Sequence, residues 1–408
     1  MSGNVVPQRS TVTLDKVEGN LEVGEHAVIR GTGVPPKVTV SGTVYTEGDC
    51  TFETTLSAEN MDGEDDIDVK GDLDIRNRVR IEDGSLTVSG NMKAKRTSVD
   101  RSLRVEKNLE SEEIDVGGSV DVEGTTAATK IDVGGTFKAG GDVKAETVDV
   151  GGSVKVEAKM HAEDIDVGGT VLVSGGKIGR VEVGGSFIST DSLEFQKIDV
   201  GGTVKLAGKS SGGDIDVGGT VKVEGDLKFG NIDVGGVISI DGSAEGTDID
   251  VGGILQVSGN MKLAGELDVG GKIEVKEELT AQTIDVGGKL HARRATAEEK
   301  VSVGGAIETE EGVYASQVSI GKRGEVKGPI KADEAFISRD AKVEDVYART
   351  IHMERNAKAR NLYGERIRLE SDCHVHGEVQ YTESLETERG VTTAKPPQKV
   401  SKLPSGPL

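Results

Sequence analysis

Apolar and polar residues alternate along most of this chain in short runs that Gly separates. The segment 220–236, TVKVEGDLKFGNIDVGG, shows this pattern three times, as V-K-V, L-K-F and I-D-V. Alternation with a period of two is typical of a strand with one buried face, and Gly between such runs is typical of turns. The pattern therefore predicts three short strands in each repeat and excludes a helical repeat.

The I-D-V runs end on a Gly-Gly doublet that recurs at a nearly constant spacing. Doublets begin at residues 117, 134, 151, 168, 184, 201, 218, 235, 252, 270, 287 and 304, so the eleven intervals comprise nine of 17 residues, one of 16 and one of 18. Three short strands in this length form one coil of a solenoid whose coils stack about 4.8 Å apart. The stiff side chains of Val and Ile would fill its interior. The sequence thus predicts an all-β fold, a single long three-sided parallel β-helix of roughly 22 coils with about 17 residues per coil.

The same strand pattern extends beyond the doublets in both directions. It continues in segments such as 67–75 (IDVKGDLDI) and 318–334 (VSIGKRGEVKGPIKADE), and an irregularity is expected at 24–40, which contains Pro35-Pro36. We therefore expect one continuous solenoid over 11–390 between two disordered tails. Its parts would be a tail at 1–10, irregular coils at 11–113, regular coils at 114–305, divergent coils at 306–390 and a basic, proline-containing tail at 391–408.

The doublets themselves are predicted to be structural. A sharp corner often requires a positive φ, which Gly adopts without a steric penalty. The predicted corner glycines are Gly117, Gly118, Gly134, Gly135, Gly151, Gly152, Gly168, Gly169, Gly201, Gly202, Gly218, Gly219, Gly235, Gly236, Gly252 and Gly253.

Composition and charge narrow the class of protein. The chain has 408 residues with six Phe, five Tyr and no Trp, too few aromatic residues for a large globular core. Its net charge of −22 argues against nucleic acid and against an anionic membrane, since both need a basic face. Only Lys395, Lys399 and Lys402 in the C-terminal tail are candidates for membrane contact. Cys50 and Cys373 predict no disulfide framework, and no secretion signal or membrane-spanning run is recognisable, so we expect a cytoplasmic protein.

One polar position of the repeat is acidic in nearly every coil. It is the middle residue of the I-D-V strand: Asp115, Asp132, Asp149, Asp166, Glu182, Asp199, Asp216, Asp233, Asp250, Asp268, Asp285 and Ser302. In a solenoid these side chains form a surface column, and neighbouring carboxylates repel by roughly 1 kcal/mol in water. Three interpretations stay open: a solvent-screened column left by internal duplication, a face for a basic protein partner, and a ladder of cations such as Ca²⁺. The candidate ligands for that ladder are Asp199, Asp216, Asp233 and Asp250.

No motif points to catalysis or to a cofactor. The only cluster of metal-ligand residue types is CHVH at 373–376, where His374 and His376 would share the outward face while Cys373 points inward. Two ligands are too few for a structural zinc site. The near-constant repeat leaves no room for loops that would build a cleft, so we expect a protein that is not an enzyme.

The two ends of the solenoid carry the functional prediction. End coils expose unpaired strand edges and the cross-section of the core, and no amphipathic helix that would cover them is recognisable at either end. Uncapped ends favour stacking of one subunit on the next, a head-to-tail contact that does not close and so builds filaments. The apolar residues expected there are Val12, Leu14, Val17, Leu21 and Val23 at one end and Val379, Tyr381 and Leu385 at the other.

At this point the sequence resembles the bactofilins, a family of polymer-forming cytoskeletal proteins. The resemblance lies in segments such as 218–236 (GGTVKVEGDLKFGNIDVGG) and 17–31 (VEGNLEVGEHAVIRG), with short V-x-V and G-x-L strands and Gly corners. It implies a three-sided β-helix that polymerises end to end without nucleotide and serves as a scaffold for cell shape. The chain is longer than an ordinary bactofilin core, and the strict doublet is not a general bactofilin motif.

We therefore expect a structural protein that self-assembles head to tail into filaments or bundles. The alternatives are an extracellular β-solenoid adhesin or stalk, and a solenoid organised by Ca²⁺ on the acidic column.

Overall fold

The fold is a parallel β-solenoid of about 23 turns with ~17 residues per turn, which confirms the predicted fold class. A computed structural model describes residues 4–406, which contain 50 strands and no helix. The chain divides into two compact units, unit 1 up to Gly202 and unit 2 from Thr203.

Unit 1 contains the first 27 strands. They are β1 Asn4–Val6, β2 Thr11–Leu14, β3 Lys16–Val17, β4 Leu21–Val23, β5 Val28–Gly31, β6 Lys37–Val40, β7 Thr43–Thr46, β8 Cys50–Glu53, β9 Thr55–Glu64, β10 Ile67–Val69, β11 Leu73–Glu82, β12 Leu86–Val88, β13 Met92–Val99, β14 Ser102–Val105, β15 Leu109–Val116, β16 Ser119–Val122, β17 Thr126–Ala127, β18 Lys130–Val133, β19 Thr136–Ala139, β20 Val143–Lys144, β21 Thr147–Val150, β22 Ser153–Val156, β23 Met160–Val167, β24 Thr170–Val173, β25 Gly176–Val183, β26 Ser186–Ser189 and β27 Leu193–Val200.

Unit 2 contains the remaining strands. They are β28 Thr203–Ala207, β29 Ser210–Ser211, β30 Asp214–Val217, β31 Thr220–Glu224, β32 Leu227–Lys228, β33 Asn231–Val234, β34 Val237–Ile240, β35 Ala244–Gly246, β36 Asp248–Val251, β37 Ile254–Val257, β38 Met261–Leu263, β39 Glu266–Val269, β40 Lys272–Val286, β41 Lys289–Val303, β42 Ala306–Ile320, β43 Glu325–Lys327, β44 Ile330–Ile337, β45 Lys342–Met353, β46 Lys358–Leu369, β47 His374–Val375, β48 Val379–Thr387, β49 Thr392–Thr393 and β50 Gln398–Lys399.

Each coil presents three faces, which we name by the order of its strands. The IDV face carries the strand before the corner doublet, and the second and third faces carry the two strands that follow it. Strand β18 shows the stacking, because Ile131 pairs in register with Ile114 of the coil before and with Val148 of the coil after. Ile131 and Val133 are buried while Asp132 between them points outward. Alternation of small aliphatic side chains thus builds the core coil by coil, as predicted.

The corner doublets are structural for a different reason from the one predicted. None of the predicted corner glycines has a positive φ, so that part of the prediction is wrong. The doublets of successive coils lie directly on one another instead: Gly151 donates its N–H to the carbonyl oxygen of Val133 at 3.0 Å, and Gly152 donates to Gly135 at 2.9 Å. A Cβ atom on Gly151 would lie 2.5 Å from the carbonyl oxygen of Gly134. Glycine is therefore required by close stacking of backbone on backbone.

Eight coils outside the doublet region turn the same corner with a left-handed residue other than glycine. Eight residues other than glycine have φ between 52° and 64° in the described part of the chain. They are Arg9, His26, Asp65 and Asp83 in unit 1, and Arg323, Asp340, Asn356 and Asp372 in unit 2. At these corners a side chain is accommodated at the cost of an unfavourable φ.

Side chains also cap the corner between the second and third faces. Asp72 accepts a hydrogen bond from the backbone N–H of Asn91 at 2.7 Å, and Asn108 accepts one from Thr125 at 2.9 Å. In unit 2, Asp226 does the same for the N–H of Ser243 at 3.0 Å. These ladders satisfy corner N–H groups that no strand pairs.

Three regions expected to depart from regular coils have defined structure. The segment 24–40 contains an exposed loop closed by an antiparallel bridge between Thr32 and Lys37, which confirms the expected irregularity. Residues 1–10 and 391–408 were expected to be disordered tails, but strand β1 pairs with β4, and β49 and β50 pair with β47 and β48. Residues 1–3 and 407–408 lie outside the described part.

Candidate functional site

The acidic column of unit 1 is in register and partly neutralised by cations. Its members are paired one coil to the next: Asp115, Asp132, Asp149, Asp166, Glu182 and Asp199. Lys130 lies 3.0 Å from Asp132, Lys197 lies 3.9 Å from Asp199, and Arg180 pairs with Glu182. Each cation stands two residues before its acid, on the same side of the same strand. Asp132 holds the pKa of Lys130 above its usual value, mainly through their hydrogen bond.

The acidic column of unit 2 has no such partners among the residues that the structure describes. Five aspartates are in register: Asp216, Asp233, Asp250, Asp268 and Asp285. All five are exposed, and none forms an ion pair within residues 4–406. Two residues before them stand Asp214 and Asp248, whose carboxylates accept hydrogen bonds from the N–H groups of Asn231 and Glu266. The negative charge of this face is left to solvent and dissolved ions.

The described residues of neither unit contain a set of metal ligands. In residues 4–406, no group of three or more His, Cys, Asp or Glu side chains could hold a metal ion. At 373–376 the side chains point as predicted, with Cys373 buried and His374 and His376 outward. Burial raises the pKa of the Cys373 thiol, and its Sγ lies 3.1 Å from the carbonyl oxygen of Glu354. This cysteine belongs to the core.

The predicted apolar residues at the N-terminal side lie in the first two coils. Strands β1, β2 and β3 pair only with β4, β5 and β6 among the described residues. Val17, Leu21 and Val23 are buried, whereas Val12 and Leu14 point inward but stay half-buried. Their exposure follows from the coil having a neighbour on one side only.

The predicted residues at the C-terminal side are covered by a feature that the sequence did not reveal. Residues 391–406, which we name the C-terminal cap, lie on the coil that contains Val379, Tyr381 and Leu385. Val379 is 1% exposed, and Tyr381 is paired with Lys399 of β50. On the IDV face, Leu385 is half-buried and its strand segment pairs with β46 alone in the described residues. The cap thus covers the second and third faces and leaves the IDV face open.

The cap is held by a few polar contacts. Thr392 and Ala394 donate their N–H groups to the carbonyl oxygens of Cys373 and Val375, each at 2.9 Å. Lys395 forms an ion pair with Glu378 at 2.9 Å, and this hydrogen bond lowers the pKa of Glu378. Beyond β50 the chain runs back along the third face as far as Tyr347, where a Cβ atom added to Gly406 would lie 3.1 Å from the ring.

Two tyrosines form the surface beneath this last segment. Tyr347 and Tyr363 are paired in register and stacked, with ring centroids 4.8 Å apart and an angle of 19° between planes. Burial raises the pKa of Tyr363 to about 12, and the nearby carboxylate of Glu378 adds to the effect. The alternating pattern of the C-terminal coils places these tyrosines outward, but nothing in the sequence shows that the tail returns to them.

Comparison with models of protein families, with curated proteins and with solved structures finds no match for this chain. Within residues 4–406 there is no helix with the length and apolar character needed to cross a membrane.

Proposed function

We propose that this protein is a non-enzymatic structural scaffold that assembles head to tail into filaments without nucleotide. The observation that carries the proposal is the stacking of near-identical coils through parallel backbone ladders, as at Ile114, Ile131 and Val148. A second copy can extend such a stack with the same hydrogen bonds that join the coils within one copy. Each added layer also buries apolar surface, which stabilises the contact by about 25 cal/mol per Å². The resemblance to bactofilins in segments 17–31 and 218–236 points the same way.

Substitution at the half-buried edge tests this proposal. Val12 points inward from a coil that has a neighbour on one side, whereas Val5 of the same coil points outward and is 62% exposed. We expect Val12→Asp to abolish filaments, because assembly would bury an unpaired carboxylate. Val5→Asp adds the same charge and should leave assembly unchanged. Electron microscopy and sedimentation over a wide range of protein and salt concentrations supply the measurement, and strictly monomeric parent protein throughout would contradict the proposal.

A second candidate function of the acidic column of unit 2 is binding of a basic partner, or of cations that each bridge only two successive carboxylates. The observation that favours it is the absence of any ion pair to Asp216, Asp233, Asp250, Asp268 or Asp285 in the described residues. Calorimetric titration with Ca²⁺, with Mg²⁺ as comparison, would detect binding that Asp233→Asn/Asp250→Asn removes. Asp115→Asn/Asp132→Asn in unit 1 is the matched control. Heat equal to dilution in all proteins would rule out the cation ladder.

A further inference from the structure

The C-terminal cap repeats the bonding of a coil while lacking its apolar layer. Strand β49 pairs Thr392 with His374 and Thr393 with Val375, and β50 pairs Gln398 with Gln380 and Lys399 with Tyr381. Thr393 and Lys399 therefore stand where the preceding coil has Val375 and Tyr381. A threonine and a lysine at these positions cover the core below without adding a core of their own.

The cap also carries features that discourage further strand pairing. Its strands are two residues long, and Pro396 and Pro397 between them have no N–H to donate. Short edge strands, lysine and proline are devices by which natural sheets avoid edge-to-edge association. The surface that the cap presents is thus poorly suited to continue the stack.

The bonds that hold the cap are those that a second copy would use. They include the carbonyl oxygens of Cys373 and Val375, and that of Tyr381, which accepts the N–H of Val400 at 2.9 Å. In β3 of the coil at 4–17, Lys16 points outward and Val17 points inward, the same alternation as Gln398 and Lys399 in β50. A β3 strand in place of β50 would set Val17 against the core, where the cap sets Lys399.

We propose that the C-terminal cap is an autoinhibitory segment that can detach from the coil beneath it. When the cap opens, β2 and β3 of a second copy pair in place of β49 and β50. The inference rests on the proposed head-to-tail assembly and adds its control point. The cap is the weakest layer of the coil stack in unit 2, because its residues from 391 to 406 are exposed or half-buried and none is fully buried. Opening uncovers Val375 and Val379, and docking of Val12, Leu14 and Val17 covers them again.

A reversible disulfide that holds the cap closed in the full chain tests whether the cap inhibits assembly. Gln380 and Gln398 are direct partners on adjacent parallel strands, a spacing that suits a disulfide. Gln380→Cys/Gln398→Cys should therefore close the cap when oxidised and free it when reduced. We expect filaments from the reduced protein and from the oxidised parent, and none from the oxidised double variant at the same concentration. Peptide mapping confirms the disulfide, and thermal melting confirms that each protein is folded.

A charge reversal opens the cap without shortening the chain. Lys395→Glu replaces the ion pair to Glu378 by repulsion and should lower the concentration needed for assembly by about threefold. Lys342→Glu is the matched control, because Lys342 is exposed and forms no ion pair within residues 4–406. If the double variant assembles equally well when oxidised and when reduced, the cap does not inhibit assembly, and head-to-tail assembly itself is not contradicted. If none of these proteins assembles at any concentration, head-to-tail assembly is contradicted, and so is its inhibition by the cap.

Discussion

Unit 2 contains two kinds of coil that turn the same corner by different means. From Gly235 to Gly305 the corner is a glycine doublet whose backbone lies directly on the doublet of the previous coil. From Arg323 to Asp372 the corner has four residues between the flanking strands instead of two, and one of the four is in the left-handed region. The first kind permits no side chain at the corner but has no unfavourable φ. The second carries Arg, Asp or Asn at the corner, at the cost of an unfavourable backbone conformation, so each kind explains its own sequence pattern.

The outward columns of the two kinds of coil differ as well. In the doublet coils the IDV face carries five aspartates in register. In the later coils the same position is Phe336, His352 and Arg368, and His352 bonds Glu370 at 3.0 Å. The regular coils therefore repeat a charge that their neighbours do not balance, while the divergent coils build specific contacts. Regular spacing and local side-chain pairing are separable properties of this fold.

The largest loss of stability is expected when the second glycine of a doublet is replaced by alanine. A Cβ atom on Gly271 would collide with the carbonyl oxygen of Gly253, whereas one on Gly270 would lie 3.1 Å from that of Gly252. Gly271→Ala should lower the free energy of unfolding by about 3 kcal/mol and Gly270→Ala by about 1 kcal/mol, because only the former forces backbone apart. Urea denaturation followed by circular dichroism provides both values. Equal effects would mean that stacking distance does not explain the doublet.

The next largest loss of stability is expected in the divergent coils at alkaline pH, when Tyr363 ionises. Tyr363 has its pKa raised to about 12, mainly by burial, whereas an unfolded tyrosine titrates near 10. The folded protein then holds the phenol proton more tightly than the unfolded chain, so the stabilisation is present below pH 10 and is lost as pH rises through 12. Between these pH values Tyr363 should account for a loss of about 2 kcal/mol. Unfolding measured at several pH values should show a shallower decline for Tyr363→Phe than for the parent, and identical slopes would contradict the assignment.

The sequence was sufficient for the parts of the fold that repeat. Alternation and the spacing of the doublets predicted three strands per coil, the inward Ile131 and Val133 and the outward Asp132. The reason for the glycines was not predictable, since the spacing of residues along the chain does not reveal how closely Gly134 and Gly151 stack. The cap was missed because Thr392–Thr393 and Gln398–Lys399 are two-residue strands among prolines, which have no periodicity to recognise.

Replacing an aspartate by asparagine should have a smaller effect on stability, and this effect should differ between the acidic columns of the two units. Asp250 has aspartates on both sides in register and no cation, so Asp250→Asn should stabilise the protein by about 0.5 kcal/mol at low ionic strength. Asp132→Asn removes a repulsion but also the ion pair with Lys130, and should give no stabilisation. Thermal unfolding at low and high salt distinguishes the two, because the gain at Asp250 should vanish with added salt. A gain of equal size at both positions would show that Lys130 does not offset its column.

The smallest effect is expected at a left-handed corner, and it tests the other half of the comparison. Arg323 has φ of 62° and an exposed side chain, so glycine would relieve an unfavourable backbone conformation. Glycine also gives the unfolded chain more conformational freedom, which costs a similar amount. Arg323→Gly should therefore change the free energy of unfolding by less than about 0.5 kcal/mol, in contrast to the large loss at Gly271. Urea denaturation of the two variants side by side measures the contrast. A large loss from Arg323→Gly would mean that the arginine side chain, and not the backbone conformation of the corner, holds the divergent coils in place.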